Sequence, residues 1–382
     1  MSLFGAFFGY AQDALGLFQG LASEQIAPKI LIVTMFSQEA ANWLADDSAL
    51  KLDHTVHVPG LSHGYEQVHC TADKSICLMV TGIALVNAAL ALSALTTSAL
   101  FDLTKTYFLL SGIGGVNPKV ATIGSVAVAK YAVQVDMQLE FDAREIPATW
   151  STGYVPMGAP SHDSWPDTIM GNEVFELNDN LRQIVLSLSR QATLIDSAAA
   201  AQNRALYADS PGGIYDAAAA GGPAVVEGDV SASNMFFHGR LLGEGFENVM
   251  RLYTSGHAEY FMTAMEDTGT LAALFRAALQ GRVDFSRIVL MRAGSNFDRS
   301  YNLDEVASLP FVFDHGGFAP ACRNLYLVGI QVVRGILDGW VSRFDKGVKA
   351  DNYVGDIFGS LGGTPDFGPE SCFLQSGAET SG

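Results

Sequence analysis

The stretch LMVTGIALVNAALALSALTTSALF, residues 78–101, carries no charged side chain. It is long enough to cross a bilayer, so its reading decides between a membrane protein and a globular one. Its content favours the globular reading. Thr81, Gly82, Asn87, Ser93, Thr96, Thr97 and Ser98 interrupt it, and six of its apolar residues are alanine, a weak driver of insertion. No cationic cluster flanks either end. A strand ending near Val80, a turn, and then a buried alanine-rich helix over Asn87–Leu100 accounts for it better, and no second stretch of this kind exists to build a transporter.

Outward from that segment, strand and helix patterns alternate. Lys29–Thr34 is a short continuous apolar run, as expected for a parallel strand buried on both faces. Ser37 is placed to cap a helix beginning at Gln38. Further strands are expected at Ser75–Thr81, Thr106–Leu110, Ser125–Ala132, Ala224–Glu227 and Arg287–Met291, with helices over Gln183–Ala198, Gly269–Gln280 and Leu325–Trp340. Alternation of this kind predicts a three-layer α/β/α fold. The domain expected is residues 28–345, carrying a long insertion at about 142–222. A 1–27 N-terminal extension precedes it and a glycine-rich 346–382 tail follows.

Composition narrows the function classes. The chain has 382 residues, 40 Asp plus Glu against 22 Lys plus Arg, and a net charge of −18. That balance argues against nucleic-acid polymers and against docking on anionic lipid, both of which reward clustered cations. Mean hydropathy is +0.21, which a large buried α/β core accommodates. Met1–Gln25 is amphipathic and aromatic (Phe4, Phe7, Phe8, Tyr10, Phe18) but lacks a basic leader region. It reads either as the remnant of a leader or as a helix packed on the body. Cys70 and Cys77 flank the polar turn TADKSI at hairpin-like spacing, and Cys322 and Cys372 lie late in the chain. Two disulfides, Cys70–Cys77 and Cys322–Cys372, would indicate an oxidising compartment; four unrelated thiols is the alternative. No cysteine–histidine spacing suits zinc, and neither metal nor cofactor is expected.

Ligands of open α/β sheets bind outside the carboxyl ends of strands. Those ends are polar or glycine-rich here: Met35-Phe36-Ser37-Gln38-Glu39, Ser111-Gly112-Ile113-Gly114-Gly115, and Arg292-Ala293-Gly294-Ser295-Asn296-Phe297-Asp298. Thr263-Ala264-Met265-Glu266-Asp267 adds an acidic pair at a helix start. The glycine turn is neither a dinucleotide fingerprint nor a P-loop, and no G-x-S-x-G elbow occurs. Taken singly, Glu39 reads as a first-turn acid, Glu266 as a capping carboxylate and Arg292 as an ion-pair partner.

Together these segments resemble a known superfamily. Thr81-Gly82-Ile83, Val86-Asn87-Ala88-Ala89, Ser111–Gly115, Ile123-Gly124-Ser125-Val126, Met265-Glu266-Asp267-Thr268 and Arg292–Asn296 resemble, in that order, motifs of the nucleoside phosphorylases, most closely the methylthioadenosine/S-adenosylhomocysteine nucleosidases. With TMFSQEAANW, HCTADKSIC, FDLTKTYFLLSGI, YAVQ and DFSRI, the chain from Pro28 to Trp340 is similar to the purine nucleoside permease family.

The resemblance implies a mixed sheet flanked by helices and a site for a purine nucleoside such as adenosine, inosine or guanosine. It implies that Glu39 activates water, that Glu266 holds the ribose hydroxyls, and that Met265 packs on the sugar. Ser111, Gly112 and Gly114 would hold the attacking oxygen, with Arg292 nearby, and Phe236 or Phe237 would stack on the base. Asn296 stands where the nucleosidases use an Asp to assist purine departure, and Asp298 is the nearest substitute acid. Three activities are compatible with these roles: hydrolysis of the N-glycosidic bond, binding for transport with a membrane partner, and phosphorolysis. The resemblance further implies an extracytoplasmic location and a homo-oligomer.

Overall fold

The computed structural model describes residues 25–302 and 316–368. Strand β1 (Ile30–Thr34) lies at its centre with every side chain buried. Its parallel neighbours are β4 (Ile76–Val80) and β5 (Tyr107–Val116). Antiparallel β3 (Gln67–Cys70) and β2 (His54–His57) extend one edge beyond β4. The fully apolar sequence of β1 follows from its position. Leu31 and Val33 enter one core while Ile30 and Ile32 enter another on the opposite face. Alternation across a pleated strand makes a double-sided burial of this kind unavoidable, and each such side chain contributes about 1.5–3 kcal/mol.

Helices cover both faces. Helices α2 (Leu85–Thr97) and α7 (Asp267–Leu279) close the first core through Leu92, Leu95, Leu271 and Leu274. On the other face lie α1 (Ser37–Leu44), α3 (Asp179–Ser189) and α8 (Phe318–Asp338), through Trp43, Val185 and Leu325. The expected three-layer α/β/α arrangement is therefore present. The stretch quoted first divides into β4, a turn and α2, but α2 is buried only on one side. Ala88, Ala91, Leu92 and Leu95 face the core, whereas Val86 and Leu90 are exposed. Among the described residues no helix is long and apolar enough to cross a membrane.

The sheet forks at β5. Its first half pairs with β1 on one side, while β14 (Ile288–Phe297) pairs with it in parallel over Phe108–Val116 on the other, and its end meets β13 (Tyr260–Ala264) at Val116. One branch continues from β14 to β6 (Val126–Ala129) and β11 (Val225–Glu227). The other runs from β13 through β12 (Asp229–Ala232), β7 (Tyr131–Gln134) and β10 (Val174–Glu176) to β15 (Gly355–Asp356). The single strand expected at Ser125–Ala132 is thus two strands serving different branches. They part at Lys130, where the backbone N–H groups of Lys130 and Tyr131 both donate to Asp229 Oδ1 (2.9 and 2.8 Å).

The region 142–222 holds the ribbon partner β9 (Tyr154–Pro156) of β8 (Gln138–Glu140), but also β10 and α3, which belong to the main layers. It further contains α4 (Ala198–Ala205) and the short α5 (Asp216–Ala219). Helix α6 (Arg240–Tyr253) packs Phe246 and Met250 beside Phe367 of the tail. Ser37 does not cap α1: the cap position is Phe36, and the Ser37 hydroxyl donates to Gln38 instead. Cys70 and Cys77 form a disulfide across β3 and β4. Cys322 is buried inside α8 and pairs with no cysteine among the described residues; its expected bridge to Cys372 involves a residue outside them. Cys372 and the stretch 1–24 lie outside the described residues.

Candidate functional site

Three chain ends converge beyond the carboxyl edges of β1, β5 and β14. Glu39 occupies the first turn of α1, where a carboxylate complements the orphan N–H groups. It reaches beyond its own helix. Met35 N–H donates to Oε2 and Ile113 N–H to Oε1, both at 2.7 Å, so Glu39 ties the end of β1 to β5. The residue is 2% exposed. Burial pushes its carboxyl up to about 8, against the opposing pull of Arg292 and the two N–H donors; Glu266 adds to the rise.

Arg292 sits on β14 with each of its three guanidinium nitrogens engaged and one Nη1 hydrogen left over. Its Nε donates to both Asp267 oxygens (3.2 and 3.0 Å), Nη1 to Ile113 O (2.8 Å), and Nη2 to Glu266 Oε2 (3.0 Å) and to Asp267 Oδ1. Burial alone would lower its pKa, but Asp267, Glu266 and Glu39 hold it above its usual value. The guanidinium can come this close only because residue 112 is glycine. A Cβ there would stand 2.3 Å from Nη1. Arg292 therefore fixes Glu266, whose Oε1 accepts from Ala84 N–H at the start of α2 (3.1 Å).

Glu39, Glu266 and Arg292 line one cavity of about 310 Å³. That lies at the lower end of the range for small-molecule sites, roughly 300–1,000 Å³. Its walls are mostly apolar: Met35, Phe36 and Phe318 on one side, Ile83, Met235, Phe236 and Phe237 on the other, with Met265 between. Phe237 is buried, whereas Phe236 is 60% exposed at the rim. The loop bearing both is pinned twice. Asn234 N–H donates to Asp136 Oδ2 (2.7 Å), and Asn234 Oδ1 accepts from Leu85 N–H (3.2 Å). Gly114 also lines the cavity, and Gly115 N–H donates to Thr263 Oγ1 (2.7 Å).

Of the residues expected at the site, the cavity brings together Glu39, Glu266, Met265, Arg292, Gly114, Phe236, Phe237 and Asn296. Gly112 lies beneath the guanidinium rather than on the surface. Ser111 is fully buried in β5 and does not reach the cavity. Asp298 does not reach it either. Both its oxygens accept from Arg299 (2.7 Å each), and Tyr260 Oη donates to Oδ2 (2.5 Å), in a fully buried cluster. It is thus not an available acid. Asn296 is only partly committed: Oδ1 accepts from Ser295 Oγ (2.8 Å), and Nδ2 donates to Phe297 O (3.0 Å), leaving one amide hydrogen. Sequence reasoning missed the walls formed by Phe36 and Phe318, and the role of Asp267 as the anchor of Arg292. Its position three residues ahead of the Thr270 turn reads simply as a first-turn acid. Among the described residues no group of three His, Cys, Asp or Glu side chains is arranged to hold a metal ion.

Comparison with solved structures gives a Neisseria meningitidis 5'-methylthioadenosine/S-adenosylhomocysteine nucleosidase in complex with methylthio-immucillin-A. It is 16% identical, covers 81% of this chain and 99% of its own, and has a TM-score of 0.48. The futalosine hydrolase of Helicobacter pylori gives 14% identity, coverage of 80% and 98%, and a TM-score of 0.44. Among curated proteins, the purine nucleoside permease of Candida albicans is 39% identical over 350 residues, spanning 90% of this chain and 84% of its own. A probable purine nucleoside permease of Schizosaccharomyces pombe is 35% identical over 322 residues, 82% of this chain and 90% of its own. The family model described as purine nucleoside permease matches residues 27–349. On that match and those identities, the chain belongs to the purine nucleoside permease family.

Proposed function

We propose that the cavity binds a purine nucleoside and that the protein hydrolyses its N-glycosidic bond. The observation that carries this reading is the placing of a buried, high-pKa carboxyl, Glu39, in one cavity with Glu266, which Arg292 and Ala84 N–H hold in place. In the reaction a water oxygen forms the bond to C1′ while the C1′–N9 bond breaks, its electron pair leaving with the purine. Ionised Glu39 takes the water proton, work suited to a carboxylate made more basic by burial. Charge builds on an oxocarbenium-like sugar, to which the net negative cluster is complementary. Glu266 has lone pairs left for ribose hydroxyls, Phe237 and Phe236 offer faces to the base, and the remaining Asn296 amide hydrogen can donate to a purine ring nitrogen.

A second reading, nucleoside binding without turnover as part of uptake with a membrane partner, is favoured by one observation. Among the described residues no free carboxylic acid stands near the base end, since Asp298 is locked by Arg299 and Tyr260. Phosphorolysis is disfavoured: among the described residues Arg292 is the sole cationic lining residue and keeps one Nη1 hydrogen beyond its bonds to Asp267, Glu266 and Ile113 O, so a phosphate dianion would meet two carboxyl groups with one donor to offset them. Incubation with inosine, adenosine or guanosine, with and without phosphate, followed by chromatography, separates all three. Release of free base and ribose without phosphate is expected. Glu39→Gln should lower that rate about 10²–10⁴-fold while leaving nucleoside affinity within a few-fold. Binding without base release, unchanged in Glu39→Gln, would leave the transport reading. The Cys70–Cys77 disulfide supports a location outside the cytoplasm, which thiol trapping of the native protein in cell fractions tests.

A further inference from the structure

Asp136 stands just past Gln134, the last residue of β7, and does not line the cavity. Three groups nevertheless donate to its carboxylate. Gln134 Nε2 donates to Oδ1, while Ser233 Oγ (3.2 Å) and Asn234 N–H (2.7 Å) donate to Oδ2. Ser233 Oγ in turn accepts from Met235 N–H (3.0 Å). Directly and through Ser233, Asp136 therefore holds two successive amides of the loop that brings Met235, Phe236 and Phe237 to the cavity. A carboxylate only accepts, which suits a position faced by three donors.

Followed in both directions, these bonds close a ring. Towards α2, Asn234 Oδ1 accepts from Leu85 N–H (3.2 Å), and the neighbouring Ala84 N–H donates to Glu266 Oε1 (3.1 Å). Towards α7, Gln134 Oε1 accepts from the Thr268 hydroxyl. Thr268 lies in the first turn of α7, directly after Glu266 and Asp267, so the path returns to the carboxylate that carries the ribose in the proposed reaction. Gln134 and Thr268 are 3% and 1% exposed, so water cannot readily replace either partner of their bond.

We propose that Asp136 is a positioning residue: through this ring it holds the loop that offers Phe236 and Phe237 to the base in fixed register with Glu266. The base and ribose ends of the cavity are then set together rather than separately. Asp136 touches no reacting atom, so it acts on affinity and not on the bond-breaking step. The inference rests on the reading of the cavity as a nucleoside site, and it adds a carboxylate outside the cavity on which binding depends. Opening the ring at one link should loosen the others, as in a cooperative polar network.

The test uses the full chain and three variants. Asp136→Ala removes the acceptor. Asp136→Asn keeps it: the amide oxygen can accept from Ser233 and Asn234, and Gln134 can turn its amide to accept from the new Nδ2 and donate to the Thr268 hydroxyl. Thr268→Val opens the ring at α7, and it carries both measurements should Asp136→Ala not fold. Hydrogen exchange read by mass spectrometry should rise about tenfold in peptides covering 83–87 and 233–237 together, in Asp136→Ala and in Thr268→Val, and stay within about threefold of the unaltered protein in Asp136→Asn. Of adenosine, inosine and guanosine, the tightest ligand of the unaltered protein should bind the first two variants about tenfold more weakly. Its cleavage rate at saturation should change by less than about threefold, the opposite split from Glu39→Gln. Faster exchange confined to 233–237, or unchanged exchange in Thr268→Val, would overturn the ring. Unchanged affinity in Asp136→Ala, or a loss in Asp136→Asn as large as in Asp136→Ala, would overturn the positioning role. If the unaltered protein binds none of the three nucleosides, the nucleoside reading falls, and the exchange measurement still decides the ring.

Discussion

Ala84 shows how a single residue carries strain for the site. Its φ of 80° and ψ of 158° lie where essentially only glycine is comfortable, yet its N–H is aimed at Glu266 Oε1. Strain of about 1–3 kcal/mol is held there by the start of α2 and by the carboxylate. Ala84→Gly should relieve it, offset by glycine's extra backbone entropy of about 0.5–1 kcal/mol. A net gain of about 1 kcal/mol in urea unfolding is expected, with weaker nucleoside binding because the N–H is less firmly oriented. Glu39 is the other residue whose behaviour follows from its surroundings. With its carboxyl raised to about 8, the ionised base grows in as pH rises through 8, so kcat/KM for nucleoside cleavage should climb along an acid limb with that midpoint. A flat profile from pH 6 to 9 would remove Glu39 from the role of base.

Helix α8 is the element that fixes the far wall. Gly329 on it faces Trp43 of α1, and a Cβ there would stand 2.6 Å from the indole. Trp43 is fully buried and stacks edge-on against Tyr326, one turn earlier on α8. Gly329→Ala should therefore cost about 1–3 kcal/mol of stability by overpacking, even though alanine is the better helix former. Because α1 carries Glu39, loss of nucleoside affinity should accompany the loss of stability, measurable by calorimetry on the same sample. Elements of this buried type are the ones the sequence makes legible. Lys29–Thr34 and Arg287–Met291 announce themselves as continuous apolar runs, and α8 as a long apolar periodicity. Helix α6 was not anticipated, since Gly243 and Gly245 interrupt its pattern, and they are glycine for packing. A Cβ at 243 would strike the Arg299 guanidinium and one at 245 would approach Thr152. Three-residue β10 and two-residue β15 are too short to leave a periodic trace, and only pairing across the fold defines them. The same limit applies at the site. Glu39, Glu266 and Arg292 follow from strand-end logic, but the capture of Asp298 by Arg299 and Tyr260 depends on contacts that no local spacing encodes.

For the molecule as a whole, stability is linked to the protonation of its buried acids. Burial raises Glu39 to about 8 and Glu176 to about 7, both from 4.5. Between pH 4.5 and those values the folded protein holds protons that the unfolded chain has released, so raising the pH through this window destabilises the fold. The slope is up to about 1.4 kcal/mol per pH unit for each group. Denaturant unfolding of the native protein and of Glu39→Gln at pH 5 and pH 8 should show the variant gaining relative stability at the higher pH; equal differences at both would contradict the raised carboxyl. The net charge of −18 works in the same direction above neutrality, through self-repulsion. One contact joins the two scales. At the fork of the sheet, a Cβ on Gly114 would stand 2.0 Å from Thr263 O, and the adjacent Gly115 N–H bonds to the Thr263 hydroxyl. Any side chain at 114 would push β13 away from β5, and β13 is the route by which one whole branch of strands joins the centre. Variation at this floor position of the cavity is therefore closed to selection for new ligands, since the mutation that reshaped the pocket would also part the two branches. Diversification must come from the Asn234–Phe237 loop and the outer rim, which the sheet can spare.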